Sequence, residues 1–180
     1  MAAAEDETQA EAFSSADFRR ALGAFATGVT VITTHGPGEQ YGMTANAFSS
    51  LSLDPPLVLW SLACTSVNHR AFCGTRHFAV HVLDSRQTAL ARHFATKDID
   101  RFGELATEAG LHGLPLLPDY HARFQCENAG CYEGGDHTII VGRVLRFEEH
   151  PGDPLLFYRG SFASVLPATA EPLVRRPGPE

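Results

Sequence analysis

The longest strand pattern in this chain is Arg123-Phe-Gln-Cys-Glu-Asn-Ala-Gly-Cys-Tyr-Glu-Gly-Gly-Asp-His-Thr-Ile-Ile-Val-Gly-Arg-Val-Leu-Arg-Phe147. It divides into two long runs, Arg123–Tyr132 and His137–Phe147, on either side of the turn Glu133-Gly-Gly-Asp136. Because glycines let a chain reverse its direction within a few residues, the two runs predict long strands that pair antiparallel.

Shorter segments on both sides of this hairpin continue the β pattern. The predicted strands are Val29–Thr34, Gly42–Leu53, Leu57–Trp60, Phe78–Leu83 and Leu155–Tyr158. Tight turns such as His35-Gly-Pro-Gly38, or prolines such as Pro55 and Pro56, separate several of them. Residues 96–120 have a mixed pattern that assigns no element.

Three helical patterns lie between the strands. They run from Ser15 or Asp17 to Ala26, near Asn68–Cys73, and over Gln87–Phe94 behind an N-cap at Ser85. In the first, Phe18, Leu22 and Phe25 share a face, and Gly28 is the expected end. We therefore predict a mainly β (α+β) fold, an antiparallel barrel with peripheral helices. Because Gly36-x-Gly38 lies in a turn and no strand leads into a GxGxxG helix, a doubly wound parallel sheet is disfavoured.

Composition indicates one globular domain over residues 13–166. Residues 1–12 are acidic and rich in alanine, and residues 167–180 contain four prolines, so both segments are expected to be flexible tails. The first residues lack the basic and apolar regions of a secretory signal. The longest apolar run, Leu57–Leu62, is too short to span a membrane.

Charge and cysteine content narrow the class further. The net charge is -7 and no run of Lys and Arg exceeds a pair, which argues against a nucleic-acid-binding surface. The four cysteines form no CxxC pair, so we expect reduced thiols in the cytoplasm, each buried for structural reasons. His77 and His81 have helical metal spacing but lie on a predicted strand, so no metal site is expected.

Tyr41–Pro56 is unusually polar for a strand. Its small polar residues are Thr44, Asn46, Ser49, Ser50 and Ser52. Unpaired hydroxyl and amide groups are costly to bury, so such a strand is typical of one that faces a polar, planar ligand. The alternative is an edge strand exposed to solvent, and the residue types alone do not separate the two.

Two further clusters could bind a ligand. Ser61–Asn68 places short polar side chains where a helix begins, a position that favours phosphate. Capping of that helix by Ser66 or Asn68 explains the same residues equally well. Gly134-Gly-Asp-His137 delivers a histidine onto a strand, although a lone histidine is more often a surface or core residue.

Taken in order, several segments resemble the flavin reductase-like family, which has the FMN-binding split barrel. Its members include the reductase components of two-component flavin-dependent monooxygenases. The likeness runs from Phe18 to Phe162 and depends on the order and spacing of short motifs. They are Phe25-Ala-Thr-Gly-Val-Thr-Val-Ile-Thr33, Thr44–Pro56, Phe78-Ala-Val-His-Val-Leu83, Leu90-Ala-Arg-His-Phe94, Asp100-Arg-Phe102, Gly135-Asp-His137 with Gly142, and Leu156-Phe-Tyr-Arg-Gly160.

The resemblance implies where each ligand group binds. The flavin ring and ribityl chain are expected along Gly42, Met43, Thr44, Asn46, Ala47, Ser49, Ser50, Ser61, Leu62 and Ala63. The phosphate or adenine end is expected near Ser66, Asn68, His93, Phe94 and Arg101. The nicotinamide pocket is expected at His137, the catalytic candidate, with Tyr158, Arg159 and Gly160. Many relatives have a Lys or Arg near Cys64–Thr65; this chain does not, so we expect either weaker binding of the phosphate or Arg101 as the substitute.

The implied activity is transfer of hydride from NADH, or alternatively NADPH, to FAD or FMN. The enzyme would be a homodimer, and a separate flavin-dependent monooxygenase would receive the reduced flavin. Two alternatives stay open: an enzyme that keeps its flavin and reduces a quinone or nitro compound, and a flavin- or haem-binding carrier or sensor without turnover. A carrier has no need of a nicotinamide pocket, so His137 weakly favours an enzyme.

Overall fold

The structure, a computed structural model, describes residues 13–166. The helices in this range are α1 Ser15–Leu22, α2 His69–Gly74 and α3 Thr88–Ala95, with a 3-10 turn at Leu111–Gly113. The strands are β1 Thr27–Gly28, β2 Thr30–Gly36, β3 Glu39–Ala45, β4 Phe48–Leu53, β5 Pro56–Ala63, β6 His77–Val82, β7 Glu108–Ala109, β8 Pro115–Leu116, β9 Ala122–Gly134, β10 His137–Glu149, β11 Leu156–Tyr158 and β12 Ser161–Ala163. The predicted tails, 1–12 and 167–180, lie outside the described residues.

Seven strands form the main sheet, in the order β3-β2-β6-β9-β10-β5-β4. Its longest pairing joins β9 to β10, from His137 opposite Gly134 to Glu149 opposite Ala122. This is the hairpin that residues 123–147 predict, extended by one or two residues at its outer ends. The predicted turn Glu133–Asp136 is too long, because β9 continues to Gly134 and only Gly135 and Asp136 connect the strands. All pairs in the sheet are antiparallel, so the predicted mainly β fold class is confirmed.

A second, three-stranded sheet has the order β1-β11-β12. Backbone hydrogen bonds from Leu155 N–H to Leu83 O, at 2.8 Å, and from Leu83 N–H to Val29 O, at 2.9 Å, attach it to the end of β6. Strands β1 and β12 have two and three residues, too short for a sequence pattern to reveal.

Two apolar clusters hold these layers together. Trp60 on β5 contacts Phe72 of α2 edge-on, with ring centroids 5.1 Å apart, and both rings are fully buried. The second cluster centres on Phe94 of α3, which packs with Leu83, Leu117 and other buried residues. Burial of each such side chain contributes roughly 1.5–3 kcal/mol, so α2 and α3 are firmly attached to the sheet. None of the helices in 13–166 is long and apolar enough to cross a membrane.

The first helix is shorter than the sequence predicts. Ser14 is its N-cap and accepts from the Asp17 N–H at 3.1 Å, and the helix ends at Leu22 before Gly23. Gly28 therefore does not end it but pairs with Leu156 in β1. Glycine is a poor helix former, and pairing of the following residues with β11 stabilises extended backbone instead.

Other boundaries also differ from the prediction. Gly42–Leu53 is two strands, because the chain leaves β2 at Ala45 and joins β5 from Phe48. Helix α3 has Gln87 rather than Ser85 as N-cap, and the Gln87 side chain accepts from the Asp84 N–H at 2.7 Å. In both cases contacts distant in sequence override the local pattern.

The prediction that all four cysteines are buried is wrong for two of them. Cys64 and Cys131 are exposed, and Cys73 is half-buried. Cys64 follows the end of β5, and Cys131 lies near the end of β9 that leads into the turn before β10, so both are exposed at the end of the sheet. Cys126 is fully buried, and burial raises the pKa of its thiol to about 12.

Candidate functional site

Strands β4, β5 and β10 meet at one end of the main sheet. The Ser61 N–H on β5 donates to the Ala47 carbonyl at 3.1 Å, just before β4 begins. On the opposite side of β5, His137 pairs with Ala63. The polar stretch, the second cluster and the histidine turn, which are separate in sequence, therefore share this edge.

The turn before β10 holds His137 in a defined orientation. The Cys64 N–H donates to the Asp136 carbonyl at 2.9 Å, which anchors the turn to the end of β5. The His137 Nδ1–H donates to the Asp136 carboxylate at 2.7 Å, and this hydrogen bond lowers the pKa of Asp136 below its ordinary value. The His137 side chain is 44% exposed, so its Nε2 is the ring nitrogen left for a ligand.

The polar strand β4 lies at the last position of the main sheet. Asn46, Ala47, Ser49 and Ser50 are exposed, and the Ser49 hydroxyl donates only to the neighbouring Ser50 carbonyl, at 3.1 Å. These features match the alternative explanation of the sequence, an edge strand exposed to solvent. An exposed edge of hydroxyls, an amide and backbone groups also suits a polar ring.

A cleft of about 840 Å³ lies beside β3 and the 99–103 loop. Three of the predicted residues line it: Gly42, Asn68 and Arg101. The Asn68 side-chain amide donates to the Gly42 carbonyl at 3.2 Å, which ties the start of α2 to β3. Asn68 does not cap α2 with its side chain, so the structure disfavours the capping explanation for that residue.

Several predicted site residues use their side chains for contacts within the protein. The Thr44 hydroxyl donates to the Ala91 carbonyl at 2.7 Å, which holds α3 on β3. Met43 packs against the first core cluster, and Leu62 is fully buried. The Ser66 hydroxyl accepts from the Asn68 N–H at 3.3 Å. These side chains therefore support the fold around the site.

Phe94 also lies behind the cleft, in the core, with 1% of its surface exposed. A methyl group added at Gly42 would lie 2.5 Å from its ring, so glycine is required there by packing. His93, next to it, donates from Nε2 to the Arg101 carbonyl at 2.9 Å and so holds the 99–103 loop against α3.

Arg101 is the cation that lines this cleft. Its Nη2 donates to the Thr96 carbonyl at 2.6 Å, while its Nε is buried and has no hydrogen-bond partner among the described residues. A buried, unpaired N–H costs free energy, and because this atom is closed to solvent it is not itself a ligand contact. The lining therefore offers a phosphate one guanidinium, from Arg101, beside the carboxylates of Glu39 and Asp100.

Tyr158, Arg159 and Gly160 form the turn between β11 and β12. The Arg159 N–H donates to the Gly23 carbonyl at 3.0 Å, and the Arg159 guanidinium lies 5.5 Å from the Tyr158 ring centroid. These contacts attach the turn to the end of α1, whereas His137 is attached to β5. Within one chain, the two parts of the predicted nicotinamide pocket are therefore held by different elements, the Tyr158–Gly160 turn by α1 and His137 by β5.

Sequence reasoning missed residues that line the cleft from outside the motifs. They are His35, Gly36, Gly38, Glu39, Gln40, Ile99, Gly103 and Gly113. A signal was present in Asp100-x-x-Gly103, since the Asp100 carboxylate accepts from the Phe102 and Gly103 N–H groups at 3.1 and 3.0 Å. Such turns are encoded by Asp followed by Gly.

The chain matches the model of the flavin reductase like domain over residues 22–166. It belongs to the flavin reductase-like family. The match covers the main sheet, the three-stranded sheet and all three groups of candidate residues, so the resemblance given by the short motifs is confirmed.

Named relatives of this flavin reductase-like protein agree. It is 50% identical to an FMN reductase (NADH), SmoA, of Agrobacterium fabrum, over 83% of this chain and 85% of that protein. It is 38% identical to the reductase component of a 4-nitrophenol 4-monooxygenase/4-nitrocatechol 2-monooxygenase of Rhodococcus opacus, over 84% and 82%. It is 40% identical in sequence to the solved NADH:FAD oxidoreductase SgcE6 of Streptomyces globisporus, in complex with NAD and FAD fragments. That match has a TM-score of 0.81 and covers 89% of this chain and 100% of the other.

Proposed function

We propose that this protein transfers hydride from NADH to FAD or FMN and releases the reduced flavin to a separate flavin-dependent monooxygenase. NADPH is the alternative donor. The observation that carries the proposal is His137, oriented by Asp136 at an open sheet edge beside exposed polar groups. Relatives named as an NADH-dependent FMN reductase and as a monooxygenase reductase component support the same activity.

The nicotinamide supplies a hydride and the flavin ring accepts it, so the protein's task is to orient the two rings. His137 holds the carboxamide or a phosphate of the nicotinamide nucleotide through Nε2, without giving or taking the transferred hydrogen. Asn46 can both donate and accept, which suits a ring edge that carries both kinds of group. Arg101, which lines the cleft beside β3, contacts a phosphate through its guanidinium.

The openness of this edge explains how a product could leave. Asn46, Ala47, Ser49 and Ser50 are all exposed, so a flavin lying on them stays in contact with water on one side. Shallow sites of this kind bury little ligand surface and bind modestly. Modest affinity is what a reductase needs if reduced flavin is to reach another enzyme.

We also propose that the main sheet curls into a split barrel. Its first and last strands, β3 and β4, are joined by only Asn46 and Ala47. The two ends of the strand order are therefore held near each other by the chain itself. One domain over 13–166, in the cytoplasm with reduced thiols, completes the proposal.

The test is steady-state NADH oxidation by desalted protein, with FAD, FMN, riboflavin or no flavin added. We expect a colourless protein that oxidises NADH only when flavin is present. Yellow protein that is inert towards NADH would instead identify a carrier. Yellow protein that turns over only with an added quinone or nitro compound would identify an enzyme with a resident flavin.

A further inference from the structure

Three of the four cysteines come together where α2 meets the end of the main sheet. Cys73 lies in α2, Cys131 lies near the end of β9, and Cys64 directly follows β5. None of the three is a candidate flavin or nicotinamide residue. Because Cys73 and Cys131 are 58 positions apart in sequence, only the fold brings them together.

A bulge in β9 fixes Cys131 beside the end of α2. The register between β9 and β10 shifts between Asn128 and Gly130. The Asn128 N–H donates to the Arg76 carbonyl at 2.8 Å, and the Asn128 side-chain amide donates to the Thr75 carbonyl at 3.2 Å. These two bonds tie the bulge to the residues directly after α2. Bulges are conserved devices for re-aiming a side chain, and this one directs the end of β9 towards the helix.

The thiols of Cys73 and Cys131 contact each other. The Cys131 thiol donates to the Cys73 carbonyl at 4.0 Å. Burial raises the pKa of the Cys73 thiol above its ordinary value, and the charge of Cys131 and a hydrogen bond with its thiol raise it further. Side chains that already touch can be bridged without large movement of the backbone.

The two thiols differ in their surroundings, and this difference gives them separate roles. Cys131 is exposed, and the Asn128 side-chain amide donates to its sulfur at 3.7 Å, so an oxidant can reach a sulfur whose anion has a hydrogen-bond donor. Cys73 is half-buried, and the His69 Nε2 lies 3.5 Å from its sulfur. A neutral imidazole at this distance can accept the Cys73 proton. Cys131 is therefore the sulfur that reacts first, and Cys73 the one that follows.

We propose that Cys131 and Cys73 form a reversible disulfide when hydrogen peroxide oxidises the reduced protein. The Cys131 thiolate attacks one peroxide oxygen, the O–O bond breaks, and the sulfur becomes a sulfenic acid while the released hydroxide takes up a proton to form water. The Cys73 sulfur then attacks the Cys131 sulfur as His69 takes the Cys73 proton. The S–O bond breaks, and the departing hydroxide leaves as a second water with that proton. The two thiols lose two electrons, the peroxide gains them, and exchange with small thiols reverses the bond.

The proposed function offers a source of this oxidant, since reduced flavin released into solution reacts with dioxygen to give hydrogen peroxide. Only that source rests on the proposed function. The chemistry of the thiol pair itself depends on the contacts between α2 and β9 and is tested with added peroxide.

The direct test treats the full-length reduced protein with hydrogen peroxide, alkylates it under denaturing conditions and maps its peptides by mass spectrometry. We expect a peptide pair joined through Cys73 and Cys131, loss of two free thiols, and their recovery with dithiothreitol. Cys126 is the internal control, because its fully buried thiol should stay free. This measurement on the natural protein does not depend on the folding of any variant.

Serine variants assign the roles. Cys73→Ser should stop the reaction at the sulfenic acid of Cys131, which dimedone traps, and Cys131→Ser should form no disulfide. Cys64→Ser, an exposed cysteine of the same cluster, is the matched control and should form the bond as the natural protein does. Oxidation should also shift the urea midpoint of the natural protein upwards, because the bond closes a long loop in the unfolded chain, and should not shift that of Cys131→Ser.

Three results would overturn the proposal: a disulfide between two chains, a bond to Cys64, or Cys73 and Cys131 left unlinked after oxidation. Because peroxide is added directly, a protein that forms the Cys73–Cys131 bond but never oxidises NADH would refute the proposed function and leave the thiol pair standing.

Discussion

His137 is the residue on which the proposed chemistry depends most. Its Nδ1 is engaged by Asp136, so its Nε2 is the one contact that it can offer a nicotinamide nucleotide. We expect His137→Ala to raise the KM for NADH by about tenfold, as loss of one polar contact implies, without abolishing turnover. Varied NADH kinetics measure this. Flavin affinity, followed by fluorescence quenching, serves as the internal control and should hold.

Asp136→Asn tests the orientation of that ring. The amide can still accept from Nδ1–H, but it lacks the carboxylate charge that the histidine now contacts. We therefore expect a smaller rise in KM for NADH than His137→Ala produces. Normal NADH kinetics in His137→Ala together with weakened flavin binding would show that this histidine lies on the flavin side of the site.

His81 is a buried histidine with a structural role. Its Nδ1–H donates to the Val31 carbonyl at 3.1 Å and its Nε2 accepts from the Leu117 N–H at 3.1 Å. Complete burial, helped by the nearby positive charge of Arg123, lowers its pKa from 6.5 to about 3. The ring is therefore neutral in the folded protein at neutral pH.

The pH dependence of stability follows from this lowered pKa. Below pH 6.5 the unfolded chain takes up a proton at His81 and the folded protein does not, so the free energy of unfolding falls as pH falls. Between pH 7 and pH 5 the loss is about 2 kcal/mol. Urea unfolding at both pH values should show it, and His81→Asn should lose less stability over the same interval. An equal loss in both proteins would contradict the assignment.

At the scale of an element, the contact between β3 and α3 decides the shape of the cleft beside β3. A Cβ at Gly42 would lie 2.5 Å from Phe94 and 2.9 Å from Phe102. Phe94 is almost fully buried, so displacing its ring would disturb the core around it. We expect Gly42→Ala to destabilise the fold by about 1–3 kcal/mol, the usual cost of overpacking. The measurement is the denaturant midpoint.

Gly28→Ala is the matched control for that substitution. Gly28 also lies on a strand, and a Cβ there would meet nothing within 4 Å. Its midpoint should stay within about 0.5 kcal/mol of the natural protein, which is usual for exposed positions. If Gly42→Ala unfolds at the same denaturant concentration as Gly28→Ala, the rings of α3 are free to move and the cleft is adaptable.

At the scale of the whole molecule, we propose a homodimer. Large apolar side chains remain exposed on the main sheet, among them Leu53 at 94% and Phe147 at 68%. Phe147 also stacks on Phe124, so an aromatic surface on the main sheet faces solvent. Exposed apolar patches of this kind often mark interfaces. Within one chain, the Tyr158–Gly160 turn is attached to α1 and His137 to β5. A second chain could bring its own Tyr158–Gly160 turn towards His137.

Light scattering at micromolar concentration should therefore give twice the mass of one chain. Phe147→Asp places a charge on the exposed aromatic surface and should shift the mass towards that of a single chain, with loss of NADH oxidation. Glu149→Asp, an exposed change on the same strand, is the control. A fully active monomer of the natural protein would rule the homodimer out.

Local sequence was enough to predict much of the fold. The β9–β10 hairpin, strands β2 and β6 and the antiparallel fold class follow from glycine turns and short-range pattern. The order of short motifs was enough to identify the family. Local sequence could not predict where α1 ends, because the pairing of Thr27 with Phe157 competes with the helix. These two residues are 130 positions apart in sequence.

The tertiary structure was needed to tell which candidate residues are exposed at a cleft or sheet edge and which support the fold. Thr44 and Phe94 have the residue types of a site, but one bonds to α3 and the other is buried behind Gly42. Conversely, Cys73 and Cys131 belong to no recognised motif and come together where α2 meets β9. Sequence pattern reports the face and period of one element, whereas a site is set by the packing of several, which distant contacts determine.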